Sequence, residues 1–329
     1  MAHDHDHDHD HAEHGKPASS PHHGADEHAG HSHGLSREVS GGWAFGIGIG
    51  LNTLFTAIEV IYGLVSHSMA LVADAAHNLS DVLGLVMAWA AVWLARRAPT
   101  GRRTYGFRRS TILAALANGL LLVGAVGVVT WEAIGRLRSP APVQGQTVIV
   151  VAAIGVVING ISAALFARGR KGDANIRGAF LHLAADAGVS LAVVVSGFVL
   201  VKTGWLWVDP AISLLVSAVV LWGTWGLLRE ATSLAMDVVP DHIEPEDVQS
   251  YLASLPGIEA VHDLHIWAMS TTETALTAHL VLPWPAAPPS FLAEVIGELK
   301  TRFRIDHATL QLEPREFARH CAQASPDVL

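Results

Sequence analysis

The chain has 329 residues, half of them hydrophobic and only 16% charged, a balance that fits an integral membrane protein with soluble appendages and argues against one globular domain. Its net charge of −9 is uneven: residues 1–40 hold eight acids and two bases, residues 41–236 eight and fourteen, and residues 237–329 fourteen and five. No soluble part is basic, which excludes a nucleic-acid partner, and the single cysteine, Cys321, excludes an internal disulfide and suits a reducing compartment.

Residues 1–40 read as a disordered tail, rich in His, Asp, Gly and Ser and without an apolar period. The tail carries no basic segment followed by an apolar one, so the sequence predicts no cleaved signal peptide and insertion by the first span itself. Eleven histidines fall here, opening with the alternation His3, His5, His7, His9 and His11 separated by aspartates. Such a density of imidazole and carboxylate binds divalent transition metals loosely. A scavenging or sensing role dispensable for transport fits it better than a purification tag, which would not interleave Asp.

Six apolar stretches follow, near 42–65, 69–95, 111–133, 146–168, 179–201 and 205–228, each long enough for roughly 30 Å of hydrocarbon. Only Ser66, His67 and Ser68 separate the first two, which predicts a tight hairpin. Orientation follows from the loops. Arg96, Arg97, Arg102, Arg103, Arg108 and Arg109 lie between the second and third spans, and Arg168, Arg170, Lys171 and Arg177 between the fourth and fifth. The opposite side has only Arg136, Arg138 and Lys202. Both termini are therefore expected in the cytoplasm.

Within these spans one pattern occurs twice: His77-Asn-Leu-Ser-Asp81 and His182-Leu-Ala-Ala-Asp186. Positions i and i+4 share a helix face, so each pattern aims an imidazole and a carboxylate at one point. An Asp at the centre of a membrane helix costs about 2.5–3.5 kcal/mol on insertion scales, and a matched pair is hard to explain as hydrogen-bonded filler. Two such helices side by side offer two nitrogens and two oxygens, a set suited to tetrahedral Zn2+. The two spans run in opposite directions, so His77 can face Asp186 and Asp81 can face His182. Asp74, one turn from His77, reads either as an outer access ligand or as an interfacial residue. Glu59, Asn52, Asn118 and Asn159 read as groups that line a water-filled path or bond between helices, and Asp209 as a helix-terminus residue.

After Asp237 the sequence predicts a small soluble α+β domain, with helices at 244–255 and 289–303 and strands at 260–268, 274–282 and 308–313. Its roughly 80 residues make a marginal lone core, which a second copy would support. His262 and His265 sit three apart on one strand, so without a bulge they face opposite sides and cannot share an ion. His279 and Glu313, on the other strands, can join one of them.

The motifs Leu71-Val-Ala-Asp-Ala-Ala-His77-Asn-Leu-Ser-Asp81, Tyr105-Gly-Phe-Arg-Arg109, His182-Leu-Ala-Ala-Asp186 and Val261-His-Asp-Leu-His-Ile-Trp267 resemble those of the cation diffusion facilitator family, in particular its bacterial zinc-efflux members. The likeness covers about residues 40–315. With the reading of the residues it gives four parts: the tail (1–40), a six-helix membrane domain (41–236), a cytoplasmic αββαβ domain (237–315), which the resemblance implies is metallochaperone-like and dimerises, and a C-terminal tail (316–329). It further implies a homodimeric antiporter in a bacterial inner membrane, exporting Zn2+ in exchange for protons, with Zn2+ also a regulatory ligand and no organic cofactor. The family's transport ligands map to His77, Asp81, His182 and Asp186, and its cytoplasmic metal positions to His262, His279 and Glu313. Gln311 stands where some members have His, which counts against a two-zinc centre. His rather than Asp at position 77 implies a preference for Zn2+ over Cd2+.

Two rival classes are weaker. A membrane metalloprotease needs an open metal position and a motif such as His-Glu-x-x-His, which is not present. A non-transporting sensor or storage protein leaves the intramembrane ligands without a purpose.

Overall fold

The structure is a computed structural model that describes residues 43–167, 174–283, 290–319 and 321. The His/Asp-rich tail lies outside them, as do Arg168, Arg170 and Lys171; of Asn52 only the backbone is described. Six long helices come first: α1 (Trp43–Val65), α2 (Met69–Ala95), α3 (Ser110–Arg138), α4 (Gly145–Phe166), α5 (Ala174–Thr203) and α6 (Val208–Ala235). Five of them contain segments long and apolar enough to cross a membrane, and α1 contributes the shorter apolar segment Thr53–Val65 within its 23 residues. The chain is a polytopic α-helical membrane protein. Its outer surface agrees, because Trp131 and Trp222 are 80% and 82% exposed in the isolated chain, a placement suited to lipid or its interface.

The helices outrun the apolar stretches at their ends. α3 continues to Arg138 and α6 to Ala235, beyond the 133 and 228 read from hydropathy alone. Arg136 supports the end of α3 through a 3.2 Å contact with Glu132, one turn back. Between α1 and α2 the turn is as short as the sequence predicts: His67 takes φ 56°, and the Ser68 hydroxyl accepts the Leu71 amide proton as N-cap of α2.

Packing places α2 centrally, against α1, α3, α5 and α6, while α4 packs on α5 and α1. One apolar cluster joins α2, α3 and α6 through Met69, Ala73, Leu122, Val126, Val216 and Val220. A second joins α2, α4 and α5 through Ala70, Leu71, Val148, Val151, Ala152 and Val193. The α4–α5 contact is close because two glycines face each other. A Cβ added at Gly197 would sit 3.1 Å from the Gly145 carbonyl oxygen and 2.9 Å from Ile149 Cγ1. Small residues allow this approach in membrane bundles.

The C-terminal domain has the αββαβ order expected, with a short helix added: α7 (Pro245–Ala253), β1 (Ala260–Ala268), β2 (Thr274–Val281), α8 (Phe291–Phe303), β3 (His307–Glu313) and α9 (Arg315–Ala318). The sheet order is β1-β2-β3, with β1 antiparallel and β3 parallel to β2. Val248, Leu252, Leu264, Ile266, Leu276, Leu280, Val295 and Leu299 form its core, so α7 and α8 bury their apolar faces against the sheet. This domain meets the membrane helices through the basic segment between α2 and α3. Arg108 Nη1 lies 3.0 Å from Glu273 Oε2, Arg109 pairs with Asp237, and the Thr271 amide donates to Thr111 Oγ1 at 3.1 Å.

Candidate functional site

Antiparallel α2 and α5 bring the four intramembrane residues together. His77 Nε2 lies 3.2 Å from Asp186 Oδ1 and 3.8 Å from Asp81 Oδ2. His182 Nε2 lies 3.3 Å from Asp81 Oδ2 and 3.6 Å from Asp186 Oδ2. Each imidazole therefore reaches both carboxylates, one on its own helix and one across. Ligand atoms of His77, Asp81 and Asp186 all fall within 4.8 Å of one another. His182 completes the ring from the far side, its ring centroid 6.1 Å from that of His77. The set offers two nitrogens and two carboxylates, the donor types that tetrahedral Zn2+ takes, with His182 in contact with both carboxylates but outside the tight group of three.

Polar neighbours surround this point. Asp74 is fully buried and accepts a hydrogen bond from the Ser190 hydroxyl of α5 at 2.8 Å. It faces the interior of the helix bundle. Glu59 is also fully buried and accepts from Asn78 Nδ2 at 2.7 Å, linking α1 to α2 from inside the first motif. Among the described residues neither Glu59 nor Asp74 is ion-paired. The Glu59–Asn78 bond is a role for Asn78 that the pattern of the motif does not reveal. Asn159 is buried with no partner for its Nδ2 among the described residues, and Asn118 accepts weakly from Ser80 at 3.5 Å. Asp209, in the first turn of α6 as expected, reaches across to the start of α2.

A second cluster lies in the C-terminal domain. His262 and His279 are directly opposed across β1 and β2. On β3, Glu313 follows by two residues the Gln311 that pairs with His279. Glu313 is 1% exposed and accepts from both sides: His262 Nε2 is 3.1 Å from Oε2, and His279 Nδ1 is 3.0 Å from Oε1. Gln311, which replaces a possible ligand, instead donates to Glu313 Oε1 at 2.7 Å and orients it.

A bulge does occur between His262 and His265, at Asp263, which adopts φ 52°. His265 nevertheless stays out of the cluster, exposed and 3.0 Å from Asp263 Oδ1. The bulge acts on Asp263 instead, directing its Oδ2 to within 3.5 Å of His279 Nε2. A ligating histidine commonly gives its second N–H to a carboxylate, which fixes ring and tautomer. With Nδ1 turned to Glu313 and Nε2 to Asp263, His279 is oriented in that way. Two imidazoles and a carboxylate with such support fit a Zn2+ ion. Sequence reasoning missed a further neighbour, Cys321, whose Sγ lies 3.9 Å from His279 Nδ1. Ligand atoms of His262, His279, Glu313 and Cys321 all lie within 4.8 Å of one another.

Fold and clusters together define a membrane protein that handles metal cations. The cation efflux transmembrane domain family matches residues 47–234, and the cytoplasmic domain of cation efflux proteins matches residues 240–315; the chain belongs to the cation efflux family. It is 37% identical over 293 residues to the metal cation efflux system protein CzcD of Cupriavidus metallidurans, covering 87% of this chain and 90% of that one. Over 273 residues it is 34% identical to the zinc transporter ZitB of Escherichia coli, covering 82% and 86%. A cadmium, cobalt and zinc/H(+)-K(+) antiporter of Bacillus subtilis is 32% identical over 266 residues, covering 79% and 85%. These relatives are named as transporters, not enzymes.

Proposed function

We propose that this protein exports Zn2+ from the cytoplasm in exchange for protons, through a site formed by His77, Asp81, His182 and Asp186 between α2 and α5. The observation that carries this reading is the reciprocal geometry of the four side chains, each imidazole within 3.8 Å of both carboxylates. All four ligands take up protons, and metal must displace those protons to bind. A free histidine titrates near pH 6.5, so exchange of metal for protons is practicable near neutrality. Zn2+ enters from the cytoplasm, the helices rock to open the site outward, and proton uptake there weakens the ligands and releases the metal. The names of the zinc transporter and antiporter relatives support both cargo and coupling.

The protein resides in a bacterial inner membrane with both termini cytoplasmic, which the excess of Arg and Lys on two of the loops supports. Two copies pair through the C-terminal domain, whose small core gains from burial against a partner. The centre at His262, His279 and Glu313 binds regulatory Zn2+, a reading supported by the orienting contacts of Asp263 and Gln311. The tail of residues 1–40 collects metal without being needed for transport.

Proton coupling is tested by Zn2+ uptake into proteoliposomes with an acidic interior. Collapsing the gradient with a protonophore should abolish net accumulation; accumulation that persists unchanged would refute the coupling.

A further inference from the structure

We propose that Cys321 supplies a thiolate sulfur as fourth donor to the cytoplasmic centre of His262, His279 and Glu313, making it an N2OS site for thiophilic divalent cations such as Zn2+ and Cd2+. The inference rests on the reading of that centre as a metal site. Its three other members are anchored from separate strands, and two of them are nearly inaccessible: His279 is 8% and Glu313 1% exposed. Three protein donors leave a tetrahedral ion one position short. Cys321 Sγ stands at that side, 3.9 Å from His279 Nδ1. Tetrahedral bonds of about 2.0–2.3 Å imply donor separations of about 3.3–3.6 Å; the four donors, all within 4.8 Å of one another, need only draw together to reach them.

The chain after β3 is built to bring this residue back. Pro314 ends the strand in an extended conformation with ψ 151°, and α9 then reverses the path. Arg315 donates to both carboxylate oxygens of Glu259, immediately ahead of β1. That grip fixes α9 beside the edge where His262 begins the cluster. The Cys321 amide donates to the Ala318 carbonyl at 3.3 Å, closing the final turn. Residues 316–329, expected as a separate tail, therefore include part of the metal centre.

The chemical consequence is a difference between the two centres. The intramembrane set has only nitrogen and oxygen donors, whereas sulfur selects against hard cations such as Mg2+ and Mn2+. On binding, the thiol loses its proton to solvent and a sulfur–metal bond forms, with no redox change. The cytoplasmic centre would therefore report the thiophilic fraction of the ions that the transport site can accept.

The test uses metal-free, full-length protein in detergent, titrated with Co2+. Because the chain has one cysteine, a thiolate-to-cobalt charge-transfer band can arise from this sulfur alone, whatever binds at the tail or within the membrane. The native protein should show the band, saturating at one equivalent per chain; Cys321→Ser should lack it and bind Zn2+ at this centre at least about tenfold more weakly, the scale reached even by losing an outer-shell partner. Zn2+ should also slow alkylation of Cys321 at least about tenfold in the native protein, a reading that needs no variant. If His279→Ala removes one metal equivalent but the native protein shows neither band nor protection, the sulfur is not a ligand although the centre exists. If His279→Ala removes nothing and the band is absent, the centre itself fails and this inference with it.

Discussion

Asp209, in the first turn of α6, accepts hydrogen bonds from the Ser68 hydroxyl and from the Met69 amide at 2.6 Å, at the N-terminus of α2. A carboxylate at a helix start satisfies amides that have no partner within the helix. Here the helix served is a different one, so a single side chain fixes where α6 begins against the helix that carries His77 and Asp81.

Removing that tie should be costly, because Asp209 is 1% exposed and Ser68 fully buried. Asp209→Ala leaves a buried hydroxyl and an amide without their acceptor, at about 1–3 kcal/mol each. The expected result is a clear loss of thermal stability in detergent. An unchanged unfolding curve would show that water replaces the carboxylate.

Close contact between α4 and α5 makes a second prediction. Gly197→Val places a branched side chain where a Cβ already meets Ile149 Cγ1 at 2.9 Å. Overpacking of this kind costs about 1–3 kcal/mol, and it displaces the helix that carries His182 and Asp186. Reduced stability together with weaker Zn2+ binding is expected, read by thermal unfolding and calorimetry. Gly188→Ala, on the same helix with no atom within 4 Å of its added Cβ, should be tolerated.

The ion pair of Glu259 and Arg315 makes a prediction about pH. Hydrogen bonding from Arg315 holds the Glu259 carboxyl below its ordinary value of 4.5, and Glu259 in turn raises Arg315. A depressed carboxyl pKa contributes stability above the unfolded value and loses it as pH falls through the folded one. The pair should thus hold α9 in place at pH 5, where an unperturbed imidazole is already mostly protonated. Hydrogen exchange of the α9 amides should be equally slow at pH 5 and pH 7 once corrected for intrinsic rates, and faster in Arg315→Ala at both. Zn2+ at the cytoplasmic centre should be lost first, because protons compete with the metal for its ligands as the pH falls. An α9 that loosens together with the metal would contradict this order.

Deleting residues 1–35 distinguishes a transporter from a storage protein. The truncated chain keeps all eight residues of the two proposed centres, so gradient-driven Zn2+ flux should persist while the number of loosely bound ions falls. Loss of flux would make the tail part of the transport path.

The membrane architecture was legible because a bilayer imposes long apolar runs, and the side-chain cluster between α2 and α5 because i, i+4 spacing puts His77 with Asp81 and His182 with Asp186 on a face each. The family resemblance pointed to His262, His279 and Glu313. Less could be read where placement depends on irregular backbone. Alternation alone does not give the bulge at Asp263, and so not its approach to His279. Cys321 lies past a proline and a short helix, and only the folded return of the chain brings it to the strands. Glu59 could be read as a group that bonds between helices, but not its partner: Asn78 meets it only because α1 packs on α2.

The central claim is best tested by Zn2+ uptake into acid-loaded proteoliposomes, comparing the native chain with Asp186→Ala. Accumulation by the native protein that vanishes in the variant, with the variant still folded by its unfolding curve, is the result this account predicts. Equal accumulation by both proteins would contradict it, removing the site between α2 and α5 from the transport path.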